Sequence, residues 1–167
     1  MTKTKVKLIK RDGEYISGGV VKYSNGSGET LVVRMDFSNR PAYGGRSLDI
    51  NDSYVNINVK TKKMLLSKTI LNKEFRVGNV TEVIGRRGDE RWGVHSLKEF
   101  LSSEDSLKRA LGDENADLLP FLRKAQIDIL EAKVGEEKKA ALEKEKGAEK
   151  KDADRRLLLS RFKGMLE

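Results

Sequence analysis

The sequence predicts an α+β chain, with a small antiparallel β region, barrel or sandwich, followed by a C-terminal helical region. Three observations predict this. Residues 1–95 carry short β-branched and aromatic runs separated by Gly, Asn and Ser, the pattern of strands joined by turns. From Ser96 the apolar spacing becomes helical, opened by Ser96-Leu97-Lys98-Glu99 in the arrangement of a capping box. Charge divides at the same point: residues 1–95 hold 18 Lys/Arg against 10 Asp/Glu, and residues 96–167 hold 16 against 16.

Taken in order, the expected strands are 5–12, 14–24 and 29–37, with "SNGSGE" between the last two as a hairpin connection, since Asn-Gly supplies positive φ angles. A longer loop is expected over 38–47, where a proline and a Gly pair fall. Residues 53–61 alternate Tyr54, Asn56 and Asn58 against Val55, Ile57 and Val59, a half-buried strand. Residues 63–71 read as a further strand, and 75–85 with 90–97 as a closing pair. A first helix is expected over 97–112, stopped by Gly112. A second begins near Pro120, whose missing N–H costs little in a first turn. Residues 135–154 have one large apolar residue, Leu142, and read as a solvated helix held by Glu/Lys pairs or as a flexible linker. The last segment places Leu158, Phe162 and Met165 or Leu166 on one face, for docking or for pairing with a second copy. The expected organisation is a basic β-rich domain over 1–95, a helical region over 96–134, and a charged helix or linker with an apolar end over 135–167.

Composition excludes several functions. The chain has no Cys, which removes disulfides, zinc thiolate sites and thiol nucleophiles together. Neither a signal-peptide run nor a stretch approaching the roughly eighteen apolar residues of a membrane span is present, so a cytoplasmic protein without membrane association is expected. A lone His95 forms no His-rich metal site and reads as a strand-end or cap-adjacent residue. Residues 49–54 start like a calcium loop, but Tyr54 stands where Gly is required and Lys60 where a bidentate Glu belongs. "SNGSGET" lacks the Gly-Lys-Ser/Thr ending of a phosphate-binding loop. Arg87-Gly88-Asp89 is a three-residue match that chance explains. The reading is non-enzymatic, with no cofactor and no metal.

A net charge of +8, all of it in the first part, points to a polyanionic partner. The candidate nucleic-acid contacts are Lys3, Lys5, Lys7, Lys10 and Arg11 on the first strand, and Arg40, Tyr43 and Arg46 in the loop over 38–47. Lys60, Lys62 and Lys63 add a basic run, and Arg86, Arg87 and Arg91 lie on the glycine-flanked "GRRGDERWG". Strict alternation puts Lys3, Lys5 and Lys7 on one face, opposite Val6 and Leu8. Trp92 is expected as a core anchor rather than a stacking platform.

Val6–Val20 and Val80–Val94 echo one another: both run from Val through a charged, Gly-bearing turn to Gly-Val. "VKLIKRDG" followed by "GGVVKY" resembles the KOW motif of SH3-like, Tudor-like barrels in ribosomal and transcription-elongation proteins. The chain also looks similar to KOW-bearing early DNA-binding transcription modifiers of T4-like phages. Gly18-Gly19-Val20 take the Gly-x-Val place, while the loop is shorter than usual and the second copy ends Gly93-Val94 with no intervening residue. The resemblance implies an SH3-like barrel whose loops bind nucleic acid or a transcription complex. The expected function is therefore nucleic-acid binding, DNA ahead of RNA, through backbone contacts of little sequence specificity. It would modulate transcription at the nucleoid, with self-association through the C-terminal helices. The competing expectation is an adaptor or inhibitor that binds RNA polymerase or a ribosome component.

Overall fold

The computed structural model describes residues 2–42, 48–83 and 90–166. Met1–Ala132 form one compact unit and Lys133–Glu167 a second.

In the first unit six strands make one curled antiparallel sheet in chain order. They are β1 (Thr2–Arg11), β2 (Tyr15–Ser24), β3 (Glu29–Ala42), β4 (Leu48–Lys63), β5 (Leu66–Val83) and β6 (Glu90–Gly93). The sheet is open, with β1 and β6 as its edges, rather than closed as a barrel. The two echoing hairpins, β1–β2 and β5–β6, therefore lie at opposite edges.

Alternation sorts the two faces. Val33, Met35 and Phe37 on β3 pair with Val59, Ile57 and Val55 on β4, and all six are buried. Their neighbours Arg34, Asn58 and Lys60 point to the opposite side. The buried face is covered by α1 (Leu97–Ser102), α2 (Glu104–Leu111), a 3-10 helix (Asp113–Leu118) and the first part of α3 (Leu119–Ser160). On α3, Leu122, Ala125 and Ile129 are all fully buried, at the spacing of one helical face. Each buried Leu or Ile is worth about 1.5–3 kcal/mol. Gly19 lets α3 come this close, because a Cβ there would stand 3.0 Å from Ile129 Cγ1 and Cγ2.

Several expectations are corrected. Residues 38–42 belong to β3 rather than to a loop, and Pro41 pairs with Asn51. A proline fits there because β3 has no β2 partner beyond Asp36. The strands expected over 63–71 and 75–85 are one, β5, of 18 residues. The first helix is two, because Ser103 ends α1 with its N–H donating to Phe100 O and caps α2 by accepting from Ser106 N–H. Ser96 caps α1 as its sequence predicts, accepting from Glu99 N–H at 3.1 Å, while Glu99 Oε2 accepts from His95 N–H.

In the second unit the chain is helical through Ser160 and ends in a 3-10 turn over Lys163–Leu166. Residues 135–154 are thus helix rather than linker. Pairs at i,i+4 support it, Lys133–Glu137 and Asp152–Arg156. Leu157, Leu158, Leu159 and Phe162 are all more than half exposed within it.

Candidate nucleic-acid interface

On the side of the sheet away from the helices, strand register builds a lattice of cations. One cross-strand row reads Lys5, Lys22, Val32, Lys60 and Thr69 from β1 to β5. The next row reads Lys7, Val20, Arg34, Asn58 and Asn72, and Lys62 opposite Thr30 extends the patch toward the β4–β5 turn. With strands about 4.8 Å apart, the row from Lys5 to Lys60 spans roughly 15 Å. Lys5, Lys7 and Lys62 are exposed and Lys60 half-buried. Among the described residues none of these four makes an ion pair.

Lys3 does not join them. A bulge between Lys3 and Lys5 turns Lys3 to the helix side, opposite Tyr23, which breaks the expected three-lysine face. There Lys3 Nζ lies 3.6 Å from Asp128 Oδ1, while the buried Tyr23 hydroxyl donates to Asp128 Oδ2 at 2.6 Å. Burial, then the hydrogen bond and charge of Asp128, push the Tyr23 phenol well above its usual range. This trio fastens α3 to β2.

The arginines of this face are largely committed to carboxylates. Arg11 and Arg34 share Asp36. Arg40 grips Glu74 with two hydrogen bonds, at 2.8 and 2.6 Å, and stacks on Tyr54 at 4.8 Å. This contact holds the Arg40 guanidinium more firmly charged, the hydrogen bond to Glu74 being the main cause. Lys63 stands 3.6 Å from Glu29, its partner in register.

A bulge at Val77 brings Asn79 onto this side beside Asp52. Asp52 Oδ1 accepts from Asn79 Nδ2 at 2.5 Å and from Arg76 at 2.7 Å, and Oδ2 accepts from the Tyr54 hydroxyl at 3.2 Å. Burial acts to raise the Asp52 pKa, but these hydrogen bonds and the Arg76 charge outweigh it, and the net shift is downward. Trp92, opposite Asn79, is 48% exposed with the Arg76 guanidinium 5.2 Å from its ring. It is a surface aromatic, not the core anchor expected. Pairing with Asn79 sets it on the side of the sheet away from the helices, and Gly93 (φ +75°) turns the chain directly after it.

Of the remaining candidates, Lys10 lies at the end of β1 and Arg91 is exposed on β6. Tyr43, Arg46, Arg86 and Arg87 lie outside the described residues. Sequence reasoning passed over Lys22, Arg34 and Arg76. Lys22 carried a signal, because the Asn-Gly turn fixes the β2–β3 register and places it two strands from Lys60. Among the described residues no helix is long and apolar enough to cross a membrane. Compared with protein families, curated proteins and solved structures, the chain matches none.

Proposed function

We propose that this chain binds nucleic acid, duplex DNA ahead of RNA, through the lysine lattice on the open side of its sheet, without catalysing a reaction. The carrying observation is the row Lys5, Lys22 and Lys60 with Lys7 and Lys62 beside it. Arginines locked onto Asp36, Asp52 and Glu74 hold the sheet surface in shape and leave Lys5, Lys7, Lys60 and Lys62 to meet phosphates. Lysine is a point charge without a planar fork, which suits backbone contact more than base reading. Single-stranded nucleic acid is bound by open aromatic platforms, whereas Tyr54 and Trp92 each already have a guanidinium over the ring. Descent from a KOW-bearing SH3-like barrel, and action on a transcription complex in the cytoplasm, belong to the same proposal. Support for the descent is the strand, Asp12-Gly13 turn and strand of β1–β2.

The test is a binding titration against duplex DNA, single strands and RNA over a range of salt. Log affinity for duplex should fall by about 0.9 per phosphate contact for each unit of log salt. The sole Trp gives a label-free reporter. No binding to any nucleic acid at low salt sinks the proposal.

One observation favours a second reading, a protein adaptor. An apolar cleft of about 250 Å³ lies on the helix side, lined by Tyr23, Leu31, Ile70, Leu118 and Phe121 among others. Phe121→Glu should abolish capture of purified RNA polymerase or ribosomes if that reading holds, and leave DNA binding unchanged if it does not.

A further inference from the structure

The β4–β5 turn is built against the usual chemistry of turns. Lys63 pairs with Leu66, so Met64 and Leu65 form a two-residue loop. Met64, Leu65 and Leu66 are 95%, 102% and 78% exposed. Met64 holds φ at +53°, a left-handed conformation that long side chains seldom adopt. The neighbouring hairpins use Asp12-Gly13 and Asn25-Gly26-Ser27-Gly28, residues suited to such backbones. Here the chain accepts strain and displays three large apolar side chains that add nothing to the core. A strained, exposed apolar tip is a mark of function rather than of folding.

The tip's surroundings say what it meets. From Ser53 to Lys73 the sequence holds five Lys and no Asp or Glu, and of the five Lys63 is paired with Glu29 of β3. Lys60 and Lys62 on the β4 side of the stem belong to the lattice described above, and Lys68 stands on the β5 side opposite Thr61. The ligand must therefore offer dense negative charge outside and an apolar interior within reach. Duplex DNA does so: its stacked bases lie behind two rows of phosphates, and proteins kink it by inserting Met, Leu, Ile, Phe or Pro between base steps. Two-stranded β-ribbons also enter the minor groove, the side from which such wedges insert.

We propose that the Met64–Leu66 tip inserts between base steps of duplex DNA and kinks it, while Lys60, Lys62 and Lys68 hold the flanking phosphates. This rests on the DNA-binding reading above and makes the chain a DNA-bending protein. The tip supplies distortion, and the lattice supplies most of the affinity.

The test pairs the full chain with the double variant Met64→Gly, Leu65→Asn, which puts glycine at the loop's positive-φ position and so keeps the hairpin. A duplex of about 25 base pairs carries a donor and acceptor at its ends and 2-aminopurine at its centre. The wild-type chain should shorten the end-to-end distance and raise 2-aminopurine emission. The variant should lose both, bind about 3- to 10-fold more weakly, and keep the same salt slope. Wild-type binding without distortion, or equal distortion by the variant, overturns the wedge and leaves the DNA-binding reading standing. Absence of any DNA binding overturns both. Insertion into vesicles containing anionic phosphatidylglycerol, lost in the variant and unaccompanied by DNA distortion, also overturns it and assigns the tip to a lipid surface.

Discussion

Asp52 and Tyr23 are buried polar side chains on opposite sides of the sheet, and each leaves a signature in pH. The folded pKa of Asp52 is depressed, so its contribution is full above the unfolded carboxylate value, about 3.9, and is lost as pH falls through the folded value. Denaturant unfolding of Asp52→Asn should therefore show a constant deficit from wild type above about pH 5, shrinking as pH drops below about 4. Tyr23 works in the other direction. Its folded pKa is raised, so its contribution is present below the unfolded phenol value, about 10, and fades above it. Tyr23→Phe should cost about 1–3 kcal/mol at neutral pH, because Asp128 then loses a buried donor, and that cost should shrink in alkali. Gly19 makes a steric claim of the same kind. Gly19→Val should destabilise by about 1–3 kcal/mol, and Ile129→Ala in the same chain should recover part of the loss.

Elements show where local signals stop. Alternation in Val55–Val59 and the Ser96/Glu99 box were legible because each needs only neighbours along the chain. The length of β5 was not, since Asn72-Lys73-Glu74 reads as a break until β4 is seen to pair with it through Asn58, Ile57 and Asn56. The bulges at Lys3/Lys5 and at Val77 were equally hidden: they reverse which face a side chain takes, and only a partner strand reveals them. Hence the lattice could be half read. Lys60 and Lys62 were nominated from charge alone and Lys5 and Lys7 from charge with alternation, while Lys3 was misplaced and Lys22 passed over. Helix packing carries a cap from a distant residue. Gln126, fully buried on α3, donates through Nε2 to Phe100 O at 2.9 Å and to Ser103 O at 3.3 Å, carbonyls at the end of α1. Gln126→Leu removes both bonds, leaving Ser103 O without this donor and Phe100 O with the Ser103 N–H alone, and should cost about 1–3 kcal/mol, seen as a lower denaturant midpoint with an unchanged slope.

At the scale of the whole molecule, every buried apolar residue among those described lies between Ile16 and Ile129. A chain ended at Ala132 should thus keep the unfolding free energy of the first unit, and should bind DNA with the full-length salt slope if the lattice is the interface. The most direct measurement is the salt dependence of duplex binding for wild type, for Lys5→Gln with Lys60→Gln, and for Arg40→Gln as a committed arginine. The lattice predicts that the lysine pair lowers the slope by about 1.8 and weakens binding equally on unrelated sequences, while Arg40→Gln leaves the slope unchanged. A wild-type slope retained by the lysine pair would contradict the account.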